Sequence, residues 1–202
     1  MVDKIGKLVK QFGQLYSEQL GIKPKKGEKE IFKWFLASLL FGKRIGENIA
    51  MNTYRTFAKC GLTTPQKILD AGWDRLVEVL DAGGYVRYDF STADKLLDIC
   101  SKLKKEYGSL TGLHKKASDG KDLELRLRAF KGIGPVTTGI FLRELRVVWP
   151  KANPEPSAVV KECAKKMGID LKRFDRKSKK FARVECAIVR ARKLIKGNKL
   201  KL

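Results

Sequence analysis

Apolar residues recur at three- and four-residue spacing along almost the whole chain, and no useful run alternates with the period of a strand. Ile5, Leu8, Val9, Phe12, Leu15 and Tyr16 predict a first amphipathic helix, followed by a linker at 21–27 that holds Pro24 and three lysines. The segment 28–41 is apolar on most sides, which suits a helix buried inside a bundle. After Gly42-Lys43-Arg44 the helical period resumes over 45–60. Thr64-Pro65 is a cap-then-proline start for a short helix ending at Asp70, and 73–80 gives another, closed by Gly83-Gly84. Further helices are expected over 94–107, 123–130, 135–148 and 157–167. A last one turns Phe181, Val184, Ile188, Ala191 and Ile195 inward, with Arg183, Arg190, Arg192 and Lys193 outward. The expected fold is all-α.

Charge narrows the function. Lys and Arg number 44 against 22 acids, a formal net charge of +22 at pH 7 in 202 residues. Such an excess repels itself in a compact state and answers a polyanion, nucleic acid first. A Lys-rich thermophile surface or a ribosomal protein would need the charge alone. No apolar run reaches the roughly 18 residues of a membrane span. Lys4, Lys7 and Lys10 break up the N-terminal apolar residues, so no signal-peptide core is read there. The expectation is a cytoplasmic or nucleoid-associated monomer. Cys60, Cys100, Cys163 and Cys186 lie far apart with no C-x-x-C pair, which argues against a zinc or iron–sulfur site and for four reduced thiols. His114 is the single histidine, which argues against a Ser-His-Asp triad.

Lys131-Gly132-Ile133-Gly134-Pro135-Val136 stands between two amphipathic stretches. Two glycines one residue apart allow a sharp turn and a close approach to the main chain. Pro135 suits a first helical turn. The N–H groups of Gly134, Val136 and Thr137 would then face outward at the positive end of a helix dipole, a site for a phosphate. A plain connector accounts for the same residues.

A set of short helices, then helix–G-x-G–helix, then a carboxylate, Glu155, 21 residues beyond Gly134: this order resembles the endonuclease III-like helix-hairpin-helix DNA glycosylases. The likeness runs over residues 30–168 and includes Leu39-Leu40-Phe41, Gly83-Gly84-Tyr85 and Phe130-Lys131-Gly132-Ile133-Gly134. It implies a two-lobed helical fold with DNA in a cleft between the lobes. One lobe would be 28–146 with its hairpin at 131–136; the other would combine 1–27 with 147–202. It implies duplex DNA as partner, with Lys131, Gly132, Ile133, Gly134, Val136 and Thr137 as the phosphate clamp. Family members flip a nucleotide and fill the gap from two loops. These fall on Phe41-Gly42-Lys43-Arg44 and Gly84-Tyr85-Val86-Arg87-Tyr88, so Lys43, Arg44, Arg87 and Tyr88 become DNA contacts. Ordinary cap packing is the other reading of Tyr85 and Tyr88.

Three departures shape the expected chemistry. Val136 stands where bifunctional members have the Schiff-base lysine, so the resemblance implies a monofunctional hydrolase. The four-cysteine cluster of many members is missing, so no iron–sulfur cluster is expected; no cofactor is required, and a monovalent cation at the hairpin is the one metal admitted. The family aspartate is replaced: allowing one inserted residue, Trp149-Pro150 puts Glu155 in its place. A glutamate can stabilise an oxocarbenium-like sugar or activate water. Its extra methylene moves the charge by about an ångström, which can cost roughly a hundredfold. In the family the acid sits at a helix start, which Pro156 would allow here. Equally, 154–157 reads as a rigid loop with Ser157 as helix cap.

Overall fold

Helix supplies all the regular structure of the computed structural model, which describes residues 2–200 (side chains from residue 4 onward), and no strand occurs among them. The helices are α1 (Val2–Phe12), α2 (Tyr16–Gln19), α3 (Glu28–Phe41), α4 (Glu47–Lys59), α5 (Pro65–Ala82), α6 (Asp89–Tyr107), α7 (Leu110–Lys116), α8 (Gly120–Arg128), α9 (Pro135–Leu145), α10 (Ala158–Lys166) and α11 (Lys179–Lys196). Side-chain caps set many of the starts: Thr64, Ser109, Asp119, Ser157 and Ser178 each accept an N–H from the first turn of the helix they precede.

The chain forms two compact units, one of Ile22–Phe141 and one combining Met1–Gly21 with Leu142–Leu202. The expected boundaries after residues 27 and 146 therefore fall after 21 and 141 instead. The first shift has a local cause. The Lys23 N–H donates to the Glu30 carboxylate at 2.8 Å, and Pro24–Lys26 forms a 3-10 turn, so the expected linker is tied to α3.

In the unit of Ile22–Phe141, α3 is the central helix. Ile31, Phe32, Trp34, Phe35, Leu36 and Leu40 are all buried along it. The Trp34 indole donates to the Phe141 carbonyl at 3.0 Å, and the Phe35 and Phe141 rings meet edge-on at 5.1 Å. The two short helices expected at 65–70 and 73–80 are the arms of α5, broken at Gly72 by φ +72° and ψ 177°. α6 begins five residues earlier than expected, at Asp89 rather than residue 94. α7 was not expected at all; Leu110 and Leu113 bury its one apolar edge.

In the other unit α11 packs with α1 and α10 around Leu8, Val160, Cys163, Val184, Ala187, Ile188 and Ile195. The first helix does not reach Tyr16. It ends at Phe12, and α2 starts separately. The carbonyls freed at this break are taken by arginines: Arg190 donates to Phe12 and Gln14, and Arg183 to Gly13. Arg183 also makes a two-oxygen ion pair with Glu18. These two residues, expected on the solvent face of α11, are the clamp that holds the N-terminal segment.

Candidate nucleic-acid interface

Phe130 and Ile133, both buried, pin the two sides of the turn between α8 and α9, and the Ile133 N–H donates to the Phe130 carbonyl at 3.1 Å. Gly132 between them has φ +83°, a conformation other residues adopt only at a cost. The Thr138 N–H to Gly134 carbonyl bond, 3.0 Å, is a first rung of α9. Val136 and Thr137 precede it, so their N–H groups belong to the unpaired first turn of the helix. Gly134 faces open space, and Val136 is 65% exposed. The Thr137 side chain points the other way. It is buried, and a Cβ at Gly42 would strike its hydroxyl. Segment 41–44 therefore packs directly on the start of α9.

Segment 84–88 reaches the same place. Gly83 lets the end of α5 press on α4, since a Cβ there would lie 2.5 Å from the Thr53 Cα. The two tyrosines then part. Tyr85 is fully buried and its hydroxyl donates to the Leu40 carbonyl at 2.8 Å, so it is a strut between α3 and the turn rather than a gap-filling side chain. Tyr88 is half-buried, with Lys43 Nζ 5.9 Å and the Arg87 guanidinium 5.5 Å from its ring centre. Val86, 61% exposed, is the apolar tip of this turn. Arg44, Arg87 and Lys131 are exposed.

Lys95 completes the cluster, and sequence reasoning missed it. It lies seven residues after Tyr88, two turns into α6 and hence on the same face. Its aliphatic stem covers Gly132, with Cδ 2.7 Å from where a Cβ would stand. Its amine meets that of Lys43. Burial and this neighbouring cation bring Lys43 down to about 8. No carboxylate pairs with either lysine among the described residues. The structure thus brings together Lys43, Arg87 and Tyr88 with the glycine turn, through a lysine no motif announced.

Comparison with protein-family models, with curated proteins and with solved structures gave no match.

Glu155 belongs to the other unit. It is exposed, and its two oxygens are taken by Arg176 at 2.5 Å and Lys161 at 3.3 Å. Slight burial opposes ionisation, but the bonds from Arg176 and Lys161 outweigh it and hold the carboxyl below the usual range. It does not stand at the helix start. Ser157 caps α10 by accepting the Val160 N–H, and Pro156 keeps Glu155 in the extended approach to the cap. Arg146 fixes that approach from beneath, donating to the Asn153 side chain at 2.7 Å and the Pro154 carbonyl at 2.8 Å. Arg146 itself is buried in an ion pair with Glu185 at 2.9 Å.

Cys100, Cys163 and Cys186 are buried free thiols, and Cys60 is an exposed one. Among the described residues no group of three His, Cys, Asp or Glu side chains is placed to hold a metal ion, and no helix is long and apolar enough to cross a membrane.

Proposed function

We propose that this protein binds duplex DNA through the unit of Ile22–Phe141 and is a monofunctional base-excision glycosylase acting on a damaged or mismatched base. One observation carries the reading. Lys43 and Lys95 are pressed together without a carboxylate, beside Tyr88, Arg87 and the Gly132 turn. Two uncompensated ammonium groups in contact are unfavourable in the free protein and become favourable when a phosphate stands between them. The turn at 131–137 serves as the hairpin clamp on a second phosphate, with Lys131 and Arg44 adding long-range attraction. Tyr88 and Val86 take the place of an extruded nucleotide.

Glu155 is the catalytic carboxylate in this reading. Held as an anion, it suits stabilisation of the cationic sugar while the base leaves with the glycosidic electron pair and water adds to C1′. Val136 offers no amine for a Schiff base. No cofactor is needed in this reading, and a monovalent cation at the hairpin is the one metal it admits. The decisive experiment is base release from a panel of duplexes, each with one lesion or mismatch, followed by alkali to reveal abasic sites. Release from any duplex supports the glycosylase.

The second reading is a non-catalytic binder of bent or damaged DNA. It is favoured by the two cations already seated on Glu155, which reduce the negative field available to a sugar cation. Preference for an abasic or bent duplex, with no base released from the panel, would establish it.

A further inference from the structure

A second cationic recess lies wholly within the unit that contains Glu155. It has a volume of about 510 Å³ and is bordered by Lys161, Lys165, Lys172 and Arg176, with Ile169 and Phe181 at its floor. We propose that this recess is a binding site for an organic phosphate of mononucleotide size, separate from the duplex-binding cluster; it shares Glu155 with the glycosylase reading but does not rest on it.

Its volume falls among those of small-molecule sites, and the combination of an apolar floor with a few convergent polar groups is their usual chemistry. Four cations face it against two carboxylates, Glu155 and Asp170. Asp170 is committed elsewhere: it accepts the Lys172 N–H at 2.9 Å and pairs with Arg173 at 3.6 Å. Arg176 is set in place by the carbonyls of Asn153 and Pro154, at 3.1 and 3.2 Å. Its Nη2 is used by these carbonyls, which leaves Nη1 to meet an anion in the recess, as it meets Glu155 at 2.5 Å. A guanidinium held in this way is suited to a phosphate's oxygens.

Glu155 shows where such an anion sits. Its carboxylate bridges Arg176 and Lys161 as a phosphate would, and it is the recess's own stand-in for the ligand. A ligand phosphate therefore competes with Glu155 for these two cations, and its apolar or aromatic body lies toward Ile169 and Phe181.

Titration calorimetry of the full chain with a nucleoside 5′-monophosphate, the matching nucleoside and inorganic phosphate tests the proposal. We expect one saturable site for the monophosphate, with each fragment weaker by about tenfold or more. Arg176→Gln and the exposed Lys172→Glu each weaken it by about tenfold, while Glu155→Gln tightens it by removing the competitor. Lys43→Gln with Lys95→Gln leaves it unchanged. Absence of saturable binding would overturn the proposal, as would retention of wild-type affinity in Lys172→Glu. Loss of binding in the Lys43/Lys95 double variant would assign the ligand to the other unit and overturn it equally. Duplex binding and base release are read separately, so failure here leaves the glycosylase reading standing, and the reverse holds too.

Discussion

Lys43 and Lys95 meet amine to amine, one on the loop after α3 and the other two turns into α6, with the Tyr88 ring beside Lys43. The contact costs free energy in the isolated protein, and a phosphate placed between the two amines would relieve it. Its first consequence is a dependence on pH. Lys43 falls from an ordinary 10.5 to about 8, so the free protein starts to lose this charge just above neutrality. A phosphate favours the charged form, so if DNA binds here it should take up a proton near pH 8, and affinity should fall as pH rises from 7 to 9. Calorimetry in two buffers of different ionisation enthalpy measures the uptake; Lys43→Arg should abolish it. Between about 8 and 10.5 the unfolded chain holds this proton and the folded one does not, so this group's contribution to stability rises with pH across that window.

Salt gives the second prediction. Several neutralised phosphates make duplex affinity fall by orders of magnitude between roughly 50 and 200 mM salt. Lys43→Gln and Lys95→Gln should each lower the slope of log affinity against log salt by about 1. Titrations of a labelled duplex at several salt concentrations supply the slopes, and unchanged slopes would remove the pair from the interface.

The two turn glycines should respond differently. Gly132→Ala forces a side chain into φ +83° and against the Lys95 stem, costing about 1–2 kcal/mol of stability before any displacement of Lys95. Gly134→Val meets open space, so thermal stability should hold while binding weakens alike for every sequence. An effect confined to one sequence would contradict a phosphate clamp.

Glu155 separates enzyme from binder. Glu155→Gln should abolish base release with DNA affinity nearly unchanged, and Glu155→Asp should retain activity. With the carboxyl held below its usual range, release should persist to more acidic pH than an unpaired glutamate would allow. Borohydride during turnover should trap no covalent adduct. Equal single-turnover rates for wild type and Glu155→Gln would take Glu155 out of the mechanism.

The buried Arg146–Glu185 pair holds the Glu155 approach in place, and burial pushes the Glu185 carboxyl up despite its partner. Arg146→Met leaves that carboxyl unpaired and strips two acceptors at Asn153 and Pro154, which should cost about 3–5 kcal/mol in denaturant unfolding. The double change Arg146→Met with Glu185→Leu should recover part of the loss.

Helical periodicity alone determined that the protein is all-α, and it placed α3 and both arms of α5 correctly, because a buried stripe must repeat with the helix. Cap residues such as Thr64 and Ser157 were legible for the same reason: their hydrogen bonds reach only three residues along the chain. What remained illegible depends on groups far apart in sequence. Nothing in the string says that Tyr85 will be buried under Leu40 while Tyr88 stays at the surface, since both carry the same side chain at the same turn. Nothing sends Arg190 inward to carbonyls near residue 13 until the break after α1 leaves them unpaired. Lys95 reads as one lysine among many, and only the packing of α6 on the Gly132 turn sets it against Lys43. A pattern along the chain fixes which residues must be buried; which distant charges then share a small volume is decided by tertiary packing.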